Sequence, residues 1–462
     1  MTRISTRPPG LYGALRAPAR AAPRVIAAAA ATLLAVVACV APPSGYRPAV
    51  DSWQELTRVP DDRAPAEPGD DATLDDLLAW AAYRSPALRA AASRWKAALD
   101  QVPQAGALPD PRLTFGYFLE ETQTRTGPME WRVGLSQPLP WFGELDHASE
   151  AALAGALAAS ARFDAERLAL QARVRDAWAE LAWVDEAVAV TRAHLDLLLR
   201  WEEVARARYA TGLGSEADVI RAQVELGTLE DRLRGLEDLR LPVAARLNAS
   251  LDRPADAPLP TPTLDDLSAQ AYDADRLRDR LPTSSPELGA LEHAIEAARA
   301  RLVLAETDIW PDGAVGVDFT RIGEGGDDAV ALTAGLSLPL YRGRIRARIA
   351  QAEAELHATR ADRHEAGNRL ASELELLLYR ERDAERRVRL YHDSLLPKAE
   401  EAVAAVMVAY QTDEAGFLDL VDAERVLLEF QLATARARAD RAQARAALDA
   451  LTGTSLDDEE LP

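Results

Sequence analysis

Apolar residues follow two different periods along this chain, and each period appears twice. Leu113, Phe115, Tyr117 and Leu119 alternate with Thr114, Gly116 and Phe118, and Trp131, Val133 and Leu135 alternate with Arg132, Gly134 and Ser136. A period of two predicts a pair of strands of about ten residues, long enough to cross a bilayer when tilted. Residues 120–130, polar and holding Gly127-Pro128, read as the loop between them. The pattern returns in Val315, Val317 and Phe319, then in Val330, Leu332, Ala334, Leu336 and Leu338, across a solvated turn at 323–328. Val315, Val317 and Phe319 are expected to face lipid, with Gly316 and Asp318 facing the lumen or the neighbouring interior. Elsewhere the period is helical. Residues 144–208 contain no proline and a single glycine, Gly155. As one helix they would extend on the order of 95 Å. Leu168, Val174, Trp178, Leu181 and Val184 recur among charges along it, as in a helix packed sideways over its whole length. Its counterpart runs from Arg344 to about Tyr410 and carries Pro397, which predicts a local bend. Further helices are expected from Ser215 to about Leu251 and from Phe417 to about Leu451. Two shorter ones open at Thr73-Leu74-Asp75-Asp76, a capping-box pattern, and at Ser85-Pro86, the latter continuing to about Ala107.

The second copy is a duplication. YATGLGSEADVIRAQ at 209–223 is answered by YQTDEAGFLDLVDAE at 410–424, with Tyr209 and Tyr410, Thr211 and Thr412, Asp218 and Asp419, Ala222 and Ala423 in register. Both stretches join two helices and read as hairpin tips, with Gly212 and Gly214 supplying the first turn and Gly416 the second. Ser85-Pro86-Ala87-Leu88 returns as Ser285-Pro286-Glu287-Leu288, and Pro109-Asp110 as Pro311-Asp312. Gly134–Leu139 returns as Gly335–Leu340, with Gly143 and Gly343 following. A shared offset of about 200 residues is far beyond a solenoid period, so the chain is one body of two halves. The halves are placed at 73–251 and 284–453. A connector rich in proline (Pro254, Pro258, Pro260, Pro262) fills 252–283, an extended tether 39–72, and an acidic tail 454–462.

Composition changes the picture at the N-terminus and in what it excludes. Arg3, Arg7, Arg16, Arg20 and Arg24 lead into an apolar run at 25–38 that is too short to span a bilayer, the form of an export signal. It ends Val36-Val37-Ala38-Cys39, which resembles a lipobox, so cleavage after Ala38 and acylation of Cys39 are expected. Cys39 is the sole cysteine, which rules out an intramolecular disulfide. Val40 follows; an aspartate there would have suggested retention at the inner membrane. The net charge of −21 argues against a nucleic-acid partner. No later apolar run is long enough for a spanning helix, so a membrane crossing must use the four strands. Four strands cannot close a barrel, and an open edge in lipid is not allowed, so the chain must oligomerise. The histidines His147, His194, His293, His357, His364 and His392 lack zinc spacing, and His364-Glu365 lacks the second histidine of a metalloprotease helix. There is no phosphate loop, dinucleotide fingerprint or serine elbow, and the three methionines are dispersed. No catalytic residue, cofactor or metal site is expected.

Helix, strand pair, long helix, tip and return helix, all twice, resemble the TolC family of outer-membrane efflux proteins over roughly residues 73–453. VGLSQPLPWFGE at 133–144, GLSLPLYRGR at 335–344 and the two tips carry the resemblance. It implies a mainly α protein with a membrane β-barrel part. Duplicated long-helix hairpins of a homotrimer would form an α-barrel through the periplasm, topped by a twelve-stranded β-barrel, four strands per chain. It also implies anchoring in outer-membrane lipid of a Gram-negative-type cell, and docking of a periplasmic adaptor and an inner-membrane transporter at the tips. By the family pattern, Asp419 and Asp422 fall in an acidic ring at the periplasmic entrance, and Asp218 and Tyr410 in a link that closes the gate. Ala415 stands where some members carry an arginine of that link. Thr211, Gly212, Leu213, Gly214 and Ser215, with Thr412, Asp413, Glu414, Ala415 and Gly416, would be the adaptor-contact tips. LPDPRLTFGY at 108–117 and LSQPLPWFGEL at 135–145 resemble the branch paired with heavy-metal cation pumps. The competing reading, a non-conducting lipid-anchored helical spacer of the envelope, explains the lipobox and the helices but not the duplicated alternating strands.

Overall fold

The computed structural model describes residues 42–57, 65–125, 127–263 and 273–453. The signal segment 1–38, Cys39, parts of the tether and connector (58–64, 264–272) and the acidic tail 454–462 lie outside the described residues. The chain divides into two compact units. Among the described residues, one holds 101–151 and 300–353 and contains the sheet; the other falls within 45–100, 152–299 and 354–453 and is helical.

Strands β1 (Arg112–Gln123), β2 (Pro128–Leu139), β3 (Asp312–Ile322) and β4 (Ala329–Ser337) form one antiparallel sheet in the order β1-β2-β3-β4. The register puts Leu113, Leu135, Val317 and Leu332 in one row across all four strands, and Phe115, Val133, Phe319 and Val330 in the next. One face of the sheet is therefore apolar across these two rows, flanked on the same face by Gln137 and Arg321, because every strand entered the ladder on the same parity. Leu113, Phe115, Tyr117, Leu332 and Leu336 on that face are exposed in the single chain, as is Leu119 past Tyr117. The strands are longer than their apolar alternation. The expected loop at 120–130 shrinks to 124–127, closed by the Thr124 hydroxyl and amide donating to the Gly127 carbonyl at 2.6 and 2.9 Å. Backbone pairing continues through polar Thr122 and Gln123, past a register shift after Tyr117, since the ladder needs amides and not side-chain polarity. Where β2 ends and β3 begins, the rings of Trp141 and Trp310 stack at 5.3 Å and 7°.

The helices are α1 (Tyr46–Thr57), α2 (Leu74–Arg84), α3 (Pro86–Ala105), α4 (Glu144–Ala210), α5 (Glu216–Ser250), α6 (Ala274–Ser284), α7 (Pro286–Thr307), α8 (Arg342–Leu390), α9 (Leu396–Gln411) and α10 (Phe417–Thr452). None of the described helices is long and apolar enough to cross a membrane. The 67 residues of α4 run without a break, about 100 Å. In the helical unit, Ala187 of α4 packs with Leu229 of α5 and with Leu428 and Leu432 of α10.

Two expectations are corrected and a third takes a specific form. Helix α1 occupies the stretch read as extended tether: Ala49 is buried, the Trp53 indole N–H donates to the Ala92 carbonyl at 3.1 Å, and Lys96 lies over the Trp53 ring. Proline-rich flanks masked a short amphipathic helix. Helix α6 lies inside the expected connector and starts the second repeat earlier, with Asp273 as its cap. Its Leu277 and Leu281 enter a core with Leu370, Leu374 and Leu378, as α2 buries Leu77 and Ala81. The four connector prolines all precede it, so the breaker cluster was wider in the reading than in the fold. Finally, the bend at Pro397 takes the form of a π-helical turn, Tyr391–Leu395, ahead of the proline. Proline offers no N–H to the carbonyl four residues back and its ring crowds that position, so the preceding turn widens.

Candidate functional site

The hairpin tips repeat most closely in sequence, and their local chemistry explains why. After α4 the chain turns with Gly212 in the left-handed region at φ 75°. After α9 the equivalent position is Asp413, at φ 65°; Gly416, expected to make that turn, has φ −84° and is the N-cap of α10. Aspartate tolerates this conformation because its short side chain can bond locally. Ser215 caps α5: its hydroxyl accepts from the Asp218 amide at 3.2 Å, while Asp218 accepts from the Ser215 hydroxyl at 2.8 Å. Asp419 accepts from the Gly416 amide at 2.9 Å, as Asp218 does from the Ser215 amide at 3.3 Å. The aspartate shared by both copies thus closes the start of each return helix. The hydroxyls of Thr211 and Thr412 donate to the last carbonyls of α4 and α9. The amides of Glu414 and Ala415 reach the Ala409 carbonyl at 2.8 and 3.2 Å.

Arg208 ties the two tips together. It donates to the Tyr410 carbonyl at 3.1 Å and the Leu213 carbonyl at 3.4 Å, pairs with the Asp413 carboxylate, and lies 4.8 Å over the Tyr410 ring. Tyr410 packs on Phe417 at 5.8 Å within an apolar cluster with Leu198, Trp201, Leu420 and Val421. Burial pushes the Tyr410 phenol above its ordinary range, Arg208 opposes this, and the charges of Asp218 and Asp413 add to it. Of the expected gate link, Asp218 and Tyr410 are therefore electrostatic neighbours within one chain, with Arg208 between the tips. Nothing in the motif reading singled out Arg208. The available signal was asymmetry: Arg208 stands just before the repeated stretch, and its equivalent is Ala409. Leu213 is exposed at the end of the first tip.

Asp419 and Asp422 are both exposed on the first turns of α10. Asp422 lies 3.6 Å from Arg425, which holds Glu225 of α5 through its Nε at 3.0 Å. Behind them sits a buried polar layer that the scattered histidines did not announce. His194 of α4 places Nδ1 2.6 Å from Glu424, a charge contact rather than an aligned hydrogen bond, and Nε2 2.7 Å from Gln431. Glu225 and Glu424 are both buried, with Arg425 held against Glu225 and His194 against Glu424. Burial alone would lower the His194 pKa, but the contacts with Glu424 and Gln431 and the charge of Glu424 outweigh it, and the value is raised.

Residues 77–252 and 277–454, the two halves of the chain, match the family model described as outer membrane efflux protein. A cobalt-zinc-cadmium resistance protein, CzcC of Cupriavidus metallidurans, is 23% identical over 400 residues, covering 84% of this chain and 92% of the relative. Among solved structures, the outer membrane protein VceC of Vibrio cholerae superposes with a TM-score of 0.71 at 22% identity, over 87% of this chain and 98% of that one. The open-state outer membrane channel MtrE of Neisseria gonorrhoeae does so with a TM-score of 0.70 at 22% identity, over 87% and 95%. At these identities the superpositions speak for the fold alone.

Proposed function

The chain belongs to the outer membrane efflux protein family, and from that premise we propose that three copies close one conduit through the outer membrane and the periplasm. It is the outer-membrane channel of a tripartite efflux system. The observation that carries the trimer is the sheet. It has an apolar face with two full rows across all four strands, and two outer strands, β1 and β4, each with one side unpaired within the chain. A lipid-facing sheet cannot keep open edges, and pairing β4 of one copy with β1 of the next closes twelve strands. The spacer reading leaves this apolar face without a partner.

At the periplasmic end, Asp419 and Asp422 of three copies supply six carboxylates around the entrance, and the two tips with exposed Leu213 are the surface for a periplasmic adaptor, itself tied to an inner-membrane transporter. Asp218, Tyr410 and Arg208 hold the tips in their closed relation. Acylation at Cys39 anchors the assembly in outer-membrane lipid. The cargo is divalent transition-metal cations, a reading supported by the resemblance at 108–117 and 135–145 and by the described role of the Cupriavidus relative. The test is the purified protein in planar bilayers. Wild type is expected to run as a heat-resistant trimer, to conduct with cation preference, and to be blocked by trivalent ions. Asp419→Asn/Asp422→Asn should assemble equally but lose both the preference and the block. A monomer without current would favour the spacer; unchanged block in the double variant would put both aspartates outside the aperture.

A further inference from the structure

We propose that Arg132 and Asp318 form a charge-balanced collar in the β-barrel lumen, in which each charge cancels the other's effect on passing ions; this rests on the channel reading. The register defines the face opposite the apolar one. Its rows read Arg112–Ser136–Gly316–Thr333, Thr114–Gly134–Asp318–Ala331 and Gly116–Arg132–Thr320–Ala329. Across the last two rows, glycine, alanine and threonine make a low, uncharged wall from which only Arg132 and Asp318 carry charge. The pair is bidentate, Nε to Oδ1 at 3.1 Å and Nη2 to Oδ2 at 2.9 Å. It is also asymmetric: the Asp318 side chain is 12% exposed and that of Arg132 51%. The slot for the carboxylate is built. Gly134 stands directly opposite Asp318, and a Cβ there would collide with the Asp318 carboxylate and the Thr114 hydroxyl. The recessed carboxylate is thus covered by a guanidinium that faces the lumen. In the trimer the pair repeats three times around the axis, at a level whose wall has no other charge in these rows. A fixed charge in a pore acts on passing ions over about 10 Å at 0.1 M salt. The sum of each pair is zero, so the pair itself holds back neither sign of ion.

A cross-strand clamp between β2 and β3, the strands that join the two halves of the chain, would have the same geometry and no effect on ions. Selectivity separates the two. Reversal potentials in a salt gradient would be measured on the Asp419→Asn/Asp422→Asn background, so that entrance charges do not mask the collar. Asp318→Asn uncovers three guanidiniums and is expected to shift selectivity severalfold toward anions. Arg132→Gln uncovers three carboxylates and is expected to shift it toward cations. Both shifts should shrink in about 1 M salt, where the screening length falls to roughly 3 Å. The exchange Arg132→Asp/Asp318→Arg rebuilds the pair in reverse, and should return selectivity toward the parent even if a single variant assembles poorly. Conducting variants with unchanged selectivity, or single variants that shift in the same direction, would overturn the collar and leave only the clamp. Absence of current from wild-type trimers would instead remove the channel reading, and the collar with it.

Discussion

The side chains that matter most in this protein are those whose partners lie far away in sequence. His194 meets Glu424 and Gln431 across 230 and 237 residues of chain. Because the folded pKa of His194 is raised, its contribution is fully present below the ordinary histidine value of about 6.5 and is lost as pH rises through the higher folded value. Thermal unfolding followed from about pH 6 to pH 9 should therefore show stability falling on the alkaline side. His194→Gln should flatten that dependence. His194→Ala leaves Glu424 buried without its cation and should cost about 3–5 kcal/mol at pH 6, a loss that Glu424→Gln in the same chain should partly relieve. Equal pH profiles in wild type and His194→Gln would show that the layer does not titrate in this range.

At the scale of elements, the sheet and the helices read differently. Strand identity followed from a period of two, and the paired rows put Val317 in the apolar face as that period required. Asp318, though on the lumenal face, is held by Arg132 and nearly buried, so it is a poor control for a tolerant lumenal position. Thr320, on the same face, takes that place. Val317→Arg is expected to cost about 2–4 kcal/mol near the bilayer midplane and to lower the yield of assembled trimer. Thr320→Arg, which sets a second guanidinium opposite Arg132, should cost less yield than Val317→Arg. Equal yields from the two, in quantitative gel analysis of outer-membrane fractions, would mean that β3 does not face lipid. Among helices, the capped starts at Ser215 and Asp273 and the widened turn before Pro397 show local rules at work.

At the scale of the whole molecule, closure and anchoring are separate requirements. Barrel closure comes from strand edges and does not use the N-terminus, so Cys39→Ser should still yield heat-resistant trimers while losing all palmitate label. Mass spectrometry that finds Cys39 unmodified in wild type, or a mature chain starting elsewhere, would refute the anchor. A trimer that fails to form without Cys39 would mean that acylation takes part in assembly.

What the sequence determined by itself was whatever depends on periodicity and on turn chemistry: the strand faces, the unbroken run of α4, the helix starts at Ser85 and Ser215, and the duplication that ties them together. Those properties are encoded in neighbours a few residues apart, and a duplicated chain states them twice. Only the tertiary structure decided which charges meet. Arg208 with Asp413 and Tyr410, Arg132 with Asp318, and His194 with Glu424 are each brought together from opposite halves. In a chain with 74 acidic and 53 basic residues, nearly every charge has many candidate partners, and no local rule selects among them. The same reason hid α1 and α6. Each is a short helix whose stability comes from the few apolar side chains it buries elsewhere, and burial is not a property of the segment itself.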